Sequence, residues 1–374
     1  MTECDFLVVG AGMAGVSAGF FLGRHGRVIV LEQESQPAYH ATGRSAALYS
    51  ETYGNAAVRA ITTGGRSFFI SPPAGFTDHP LLAARGVLVV GSAAQRASVE
   101  RIHEEGRRLV ASVRLVDQAE ILRRVPVMRP EQALLGVDEP DAMDIDVHAL
   151  HQGFLRGLRA AGGAVRTDAE VLALARRGES WEAETPAGRF AAPVLINAAG
   201  AWADRVASLA GIPPVGLSPK RRTAITFDPP AGQSIRAWPA LIDADERFYF
   251  KPDAGRLLAS PADETPSEPC DAQPDELDIA ICVDRLQAAT SIEVRRIESR
   301  WAGLRTFAPD KTPVVGFEPG HAGFFWLAGQ GGYGIQTAPA MGRLVAELAR
   351  GLPMPADLED LGARAAALSP ARFR

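Results

Sequence analysis

Three glycines and one acid near the start of the chain have the plainest chemical use: Gly10-x-Gly12-x-x-Gly15, with Glu32 placed 22 positions after Gly10. Gly10 permits a tight turn, Gly12 lets a pyrophosphate approach the backbone, and Gly15 lets a helix pack closely on a strand. The phosphates of a dinucleotide would rest on the free N–H groups and positive end of that helix. Glu32 stands where a carboxylate can accept both hydroxyls of an adenosine ribose. A glycine triplet alone is weak evidence. Here it follows an apolar strand (Phe6 to Val9), opens a helix-compatible stretch (Met13 to Arg24) and precedes a second apolar strand (Val28 to Leu31) that ends on the acid. The competing reading is a signal peptide or membrane span, because residues 6 to 23 carry no charge. Five glycines in those eighteen residues, with Glu3 and Asp5 before them in place of a basic segment, argue against it.

Other candidate residues are less decisive. His148 and His151 are three apart on a predicted helix, Val147 to Ala161, a spacing that suits a metal, yet no third ligand cluster accompanies them, so no metal site is expected. Arg221 and Arg222 adjoin in a predicted strand, Arg221 to Phe227, where alternation sends one of them to solvent and leaves open which. Tyr53 and Tyr249 suit half-buried aromatics, and Trp202 and Trp301 packing residues. Cys4, Cys270 and Cys282 show no C-x-x-C spacing and fit a reducing compartment, with neither a disulfide framework nor a zinc site.

These residues need elements to hold them. At 374 residues the chain exceeds the usual limit of one core, so two domains are expected. Arg85 to Val90 reads as a strand and Val99 to Val113 as a charged amphipathic helix. Val194 to Asn197 reads as a strand entering the turn at Gly200. Arg247 to Lys251 and Arg256 to Ser260 read as a hairpin closed by Pro252-Asp-Ala-Gly255, Ile292 to Phe307 as further strands, and the segment after Gly334 as a last helix to about Arg350. Nucleotide-binding elements thus fall at both ends and in the middle. The expected fold is α/β: a discontinuous Rossmann-like domain (residues 1–80, 145–214 and 308–374) with a β-rich substrate domain (81–144 and 215–307). A net charge of −5 and a pI of about 5.9 argue against nucleic acid or an anionic membrane surface as the main partner, and no integral membrane segment is expected. The composition suits a cytoplasmic protein, with peripheral attachment to the inner membrane face as the alternative.

Glycine-loop physics does not separate NAD from FAD. The loop at the N-terminus and a second glycine-rich strand–turn–helix near the C-terminus, able to cap a redox ring, favour FAD. The chain resembles the D-amino-acid oxidase-like flavoproteins, and among them bacterial D-arginine and D-amino-acid dehydrogenases. The segments that carry the resemblance are His40-Ala-Thr-Gly-Arg44-Ser-Ala, Ala198-Ala-Gly200-Ala-Trp202, Tyr249 with its neighbours, Trp301-Ala-Gly-Leu-Arg305 and Gly331-Gly-Tyr-Gly-Ile-Gln336. The resemblance implies oxidative deamination: hydride passes from the α-carbon of a D-amino acid to flavin N5, and the imino acid hydrolyses to a 2-oxo acid and ammonia. It implies that Arg222 and Arg305 clamp the substrate carboxylate, with Tyr53 and Tyr249 beside them and the backbone at Gly332 facing the amino group.

For the cofactor, the resemblance implies contacts from Gly10, Gly12, Ala14, Gly15, Glu32, Gln33, Thr42, Gly43, Arg44, Ser45, Ala46, Ala199, Gly200, Gly303, Gly331, Gly332, Tyr333, Gly334, Ile335 and Gln336. No thiol lies in Trp301 to Arg305, where some relatives attach their flavin, so the FAD is expected to be non-covalent. The substrate side chain is expected among Leu48, Ser50, Val87, Ala240 and Ile242. Val87 and Leu48 stand where D-arginine-selective enzymes carry a glutamate and a histidine, so the expected substrates are neutral, apolar D-amino acids. The expected electron acceptor is quinone-like. The alternatives are an amino-acid or N-methyl-amino-acid oxidase that uses oxygen, a 2-hydroxy-acid dehydrogenase, and a flavin sensor without catalysis; the intact arginine pair argues against the last.

Overall fold

The computed structural model describes residues 1–374. A six-stranded sheet forms its larger centre, in the order Ala164–Arg166, Val28–Leu31, Phe6–Val9, Val194–Asn197, Phe324–Ala328 and Val314–Phe317. The first five run parallel and only the edge strand Val314–Phe317 is antiparallel. Sequences such as Phe6-Leu-Val-Val9 and Val28-Ile-Val-Leu31 are apolar throughout, and every residue of both is buried. A parallel sheet requires this, because it is covered on both faces.

One face carries helices Met13–Leu22, Val147–Ala160 and Gly334–Leu348, packed around Phe20, Phe154, Met341 and Leu344. The other face is covered by a small sheet, Ala173–Arg177, Ser180–Thr185 and Gly188–Ala192 with Thr2–Glu3 at its edge, which buries Trp181 and Phe190 against Leu7 and Leu195. Alternation of polar and apolar residues here is short and interrupted by Gly178 and Gly188, and the sequence reading assigned these strands no role.

The second centre is a nine-stranded sheet. Its core order is Ser218–Phe227, Arg256–Ser260, Tyr249–Asp253, Ala240–Asp243, Val87–Gly91, Leu135–Glu139 and Arg114–Asp117, and Ser299–Phe307 pairs along the outer side of Ser218–Phe227. The expected hairpin forms, but Pro252 pairs with Leu257 and Asp253 with Arg256, so the turn is only Ala254-Gly255. Several boundaries differ from expectation: the strands read at Arg85–Val90, Arg221–Phe227 and Arg247–Lys251 are Val87–Gly91, Ser218–Phe227 and Tyr249–Asp253. The charged helix spans Arg96–Leu109 and stops before Val113, which turns to pack against Gly106. Of residues 292–307 only Ser299–Phe307 is strand. Among the elements not foreseen, helix Glu276–Ala289, capped by Asp275 accepting from the Leu277 N–H, buries Ile279, Cys282 and Leu286 against the back of this sheet. Its apolar stripe is diluted by polar residues, so its period does not stand out in the chain.

Candidate active site

The glycine loop behaves as its spacing demands. Gly10 has φ of +102°, and a Cβ there would lie 2.5 Å from the Ala198 carbonyl oxygen; a Cβ on Gly15 would lie 1.9 Å from the Gly10 oxygen. The turn therefore wedges between two strands and its own helix, and only glycine fits. Glu32 ends its strand beneath this loop: Oε2 accepts from the Ala11 N–H at 2.8 Å and Oε1 from the Glu34 N–H at 3.0 Å. Burial pushes its carboxyl above the usual range, and the two amides pull against that. Thr42 Oγ1 accepts from the Met13 N–H at 2.9 Å, tying the 38–46 loop to the helix start. His151 is buried, and its Nε2 lies 3.0 Å from the Ala11 carbonyl oxygen behind the loop. No group of three metal-ligating side chains exists; His151 braces the loop.

From Glu32 a cavity of about 510 Å³ runs past Gly10, Gly12 and Ala14, along Thr42, Arg44, Ser45 and Ala46, and over Ala199 and Gly200 to Gly303, Gly331 and Arg305. Gln33, Gly332, Gly334 and Ile335 also line it. Four predicted contacts lie elsewhere. Gly15 is taken up by helix packing, and a Cβ on Gly43 would strike the Ala38 oxygen at 2.5 Å, so its role is the turn. Tyr333 and Gln336 face a second cavity instead, because helix Gly334–Leu348 starts between the two and turns them to its far side. Arg44 reaches across to the other sheet, donating to the carbonyls of Ala272 at 2.8 Å and Ala302 at 2.9 Å and pairing with Asp271. The cavity fits FAD on three observations: the glycine cradle, the acid at one end, and the buried Gln330 Nε2, which lines it and has no hydrogen-bond partner. When bound there, the adenosine end belongs beside Glu32 and the ring system toward Gly303 and Gly331.

The second cavity, about 390 Å³, opens from the first. Arg222, Tyr249, Arg305 and Gly332 line both, so they stand at the junction. Strand pairing explains this. Arg222 lies opposite Gly303, and Arg305 opposite Lys220, so alternate residues of the two long strands face the cavities. Arg221 takes the opposite face and pairs with Asp278 of the unforeseen helix at 2.7 Å. This resolves which of the two arginines turns away. Arg222 is oriented by its Nε donating to the Asp263 carbonyl oxygen at 2.8 Å, and Arg305 Nη1 lies 3.5 Å from the Tyr53 hydroxyl. Tyr53 packs edge-on to Tyr333 with ring centres 4.9 Å apart, and burial pushes the Tyr333 phenol up to about 12. A Cβ on Gly332 would come within 3.0 Å of Arg305 Nη1, so the guanidinium lies directly on that backbone.

Leu48, Ser50, Val87, Ala240 and Ile242 all line the second cavity. Its wall also includes Glu139 and Lys251, both buried. Lys251 Nζ is paired with Asp144 at 2.7 Å, and Asp144 also accepts from Arg85 Nε at 2.7 Å. Glu139 accepts from Ser50 Oγ at 2.9 Å and Thr52 Oγ1 at 2.7 Å. Neither residue is singled out by its local sequence.

The comparisons agree with this geometry. A family model described as FAD dependent oxidoreductase matches residues 5–348. The chain is 25% identical over 392 residues to FAD-dependent oxidoreductase domain-containing protein 1 of Bos taurus, covering 92% of this chain and 80% of that protein. It is 22% identical over 378 residues to N-methyl-L-tryptophan oxidase of Salmonella enteritidis, covering 95% and 96%. Dimethylglycine dehydrogenase of Mus musculus is 26% identical over 267 residues, and the match spans only 30% of that longer protein. Glycine oxidase from Geobacillus kaustophilus superposes with a TM-score of 0.87 at 20% identity over 100% of this chain and 99% of that one, which shows the shared fold. A glycine cradle ending on an acid, a cleft sized for a dinucleotide and a family match across nearly the whole length leave one assignment: the chain belongs to the FAD dependent oxidoreductases, the D-amino-acid oxidase-like flavoenzymes.

Proposed function

We propose that this protein oxidises the Cα–N bond of an α-amino acid, with D-amino acids as the substrates the sequence resemblance favours. The observation that carries the reading is the position of Arg222 and Arg305, both at the junction of the cofactor and substrate cavities. Two guanidinium groups that stay charged at any relevant pH match a carboxylate in charge and in planar geometry. Bound FAD supplies the acceptor for the two electrons. The chain's own residues do the positioning. Arg222 and Arg305 fix the carboxylate, the Tyr53 and Tyr249 hydroxyls lie beside it, and the Gly332 carbonyl accepts from the amino group. With those ends held, the Cα–H bond is aimed at the cofactor cavity, which is the protein's main contribution to rate. Loss of that hydrogen as a hydride and of one N–H proton leaves an imino acid, which water converts to a 2-oxo acid and ammonium. Leu48, Val87, Ala240 and Ile242 receive an aliphatic side chain.

A second reading has specific support: an N-methylated amino acid, suggested by the full-length similarity to N-methyl-L-tryptophan oxidase. The same arginine pair serves either. Anaerobic mixing of the holoenzyme with D-, L- and N-methyl-amino acids, followed by flavin absorbance, separates them. Bleaching by D-amino acids supports the first reading. Bleaching by N-methyl-amino acids alone replaces it, and bleaching by 2-hydroxy acids alone overturns both. For the electron acceptor we propose a quinone-like molecule, on the dehydrogenase resemblance; rapid reoxidation of the reduced enzyme by dissolved oxygen would show an oxidase instead.

A further inference from the structure

We infer that Glu139 sets substrate specificity by binding a cationic nitrogen at the end of the substrate's side chain. The inference deepens the proposed amino-acid oxidation and rests on its placement of the carboxylate at Arg222 and Arg305.

The sheet itself puts Glu139 in the pocket. Ala240 pairs with Val87, and Val87 with Glu139, so the three form one row across adjacent strands and present their side chains to the same face. That face is the one lined by Leu48 and Ile242. Asp138, one residue earlier, points the opposite way and is paired with Arg124 at 2.6 Å and Arg114 at 2.8 Å. Glu139 has no such partner. Glu139 is 6% exposed, and its carboxylate forms no ion pair; the Ser50 and Thr52 hydroxyls hold it, with the Glu51 backbone N–H beside them. The bases nearby are engaged elsewhere: Lys251 by Asp144, and Arg59 by the Thr52 carbonyl and Glu105.

A buried carboxylate is costly unless a charge or several donors compensate it. Neutral donors, two hydroxyls and one backbone N–H, supply part of that and leave the carboxylate without a compensating charge. Burial accordingly pushes the Glu139 carboxyl above the usual range, against the pull of Thr52 and Ser50. An ammonium or guanidinium entering along the aliphatic wall would meet this carboxylate and hold it ionised. The pocket is thus built for an amphipathic side chain, with an apolar stem against Leu48, Val87, Ala240 and Ile242 and a cationic tip on Glu139.

The test uses ligands with no α-amino group, so that binding is read without turnover. The flavin absorbance of the holoenzyme is titrated with a series of ω-aminoalkanoates and with alkanoates of equal chain length. A charge-assisted hydrogen bond predicts that at least one ω-aminoalkanoate binds about tenfold or more tightly than its alkanoate. In Glu139→Gln that ratio should fall to near one while alkanoate affinity holds. Equal affinities in the wild type, a comparison that needs no variant to fold, overturn the inference, as does a ratio that survives Glu139→Gln. The underlying reading is tested separately by Arg305→Ala. Undiminished alkanoate affinity there counts against the placement of the carboxylate and leaves the ratio at Glu139 to be judged on its own.

Discussion

At the scale of single residues, the site is defined by groups whose partners are fixed before substrate arrives. Arg222 is aimed by the Asp263 carbonyl and Arg305 by contact with Gly332. Removing one partner of a buried ion pair commonly costs about 3–5 kcal/mol. At about 1.4 kcal/mol per tenfold, Arg222→Ala and Arg305→Ala should each lower kcat/KM by roughly a hundredfold or more. Flavin content should be unchanged. Steady-state kinetics on the flavin-loaded variants checks this, and near-normal values in both would place the carboxylate elsewhere. Gly332→Ala makes a subtler demand. Its new methyl would press on Arg305 Nη1 from 3.0 Å, so the guanidinium must yield by a few tenths of an ångström. The expected result is a raised KM with stability close to wild type, measured alongside the thermal midpoint. Gly332→Ala with wild-type KM would mean that the carboxylate does not depend on this contact.

At the scale of elements, the long strand Ser218–Phe227 is the member on which most depends, because one face carries Arg222 and the other packs on helix Glu276–Ala289. Leu286 of that helix is fully buried among Ile225, Phe227 and Leu257. Truncating it leaves a cavity, and a buried Leu→Ala change costs about 2–5 kcal/mol. Leu286→Ala should therefore lower the thermal midpoint by several degrees and reduce kcat/KM, since Arg222 loses the backing of its strand. Differential scanning calorimetry with parallel kinetics tests both. An unchanged midpoint would show that the helix is not part of the cooperative unit. This helix is also why the sequence left the orientation of the arginine pair open. Alternation shows that Arg221 and Arg222 diverge, but only the helix, with Asp278 waiting 2.7 Å from Arg221, decides which one is drawn away from the site.

At the scale of the whole molecule, the two sheets meet along the cleft and the cofactor site draws on both. Residues from the glycine loop belong to one sheet, and Gly303 and Arg305 to the other. A ligand that binds only the folded state stabilises it by mass action. Flavin-free protein should consequently unfold at a lower temperature than holoprotein, and the gap should widen with added FAD. The flavin is expected to be non-covalent: Trp301–Arg305 contains no cysteine, Cys4 and Cys282 are buried in cores, and Cys270, the one thiol lining the cavity, lies outside the segment through which some relatives attach it. Acid precipitation of the yellow protein should release FAD into the supernatant. Colour retained on the washed precipitate would overturn this.

What the chain determined by itself was local. Strand Phe6–Val9, the glycine loop, its helix and Glu32 lie within one continuous stretch, so hydrophobic runs and glycine spacing were enough to mark the strand, turn and helix that form there. The hairpin at Pro252–Gly255 was legible for the same reason. The small sheet over residues 173–192 and helix Glu276–Ala289 were not, because their patterns are short or diluted and their stability comes from what they cover. The second cavity was decided by tertiary structure alone. Val87 becomes a neighbour of Ala240 on one side and Glu139 on the other through lateral strand pairing between distant segments. No local periodicity encodes which strand lies beside which. In the fold the adjacent acids Asp138 and Glu139 part company, one carboxylate meeting two arginines and the other facing the second cavity.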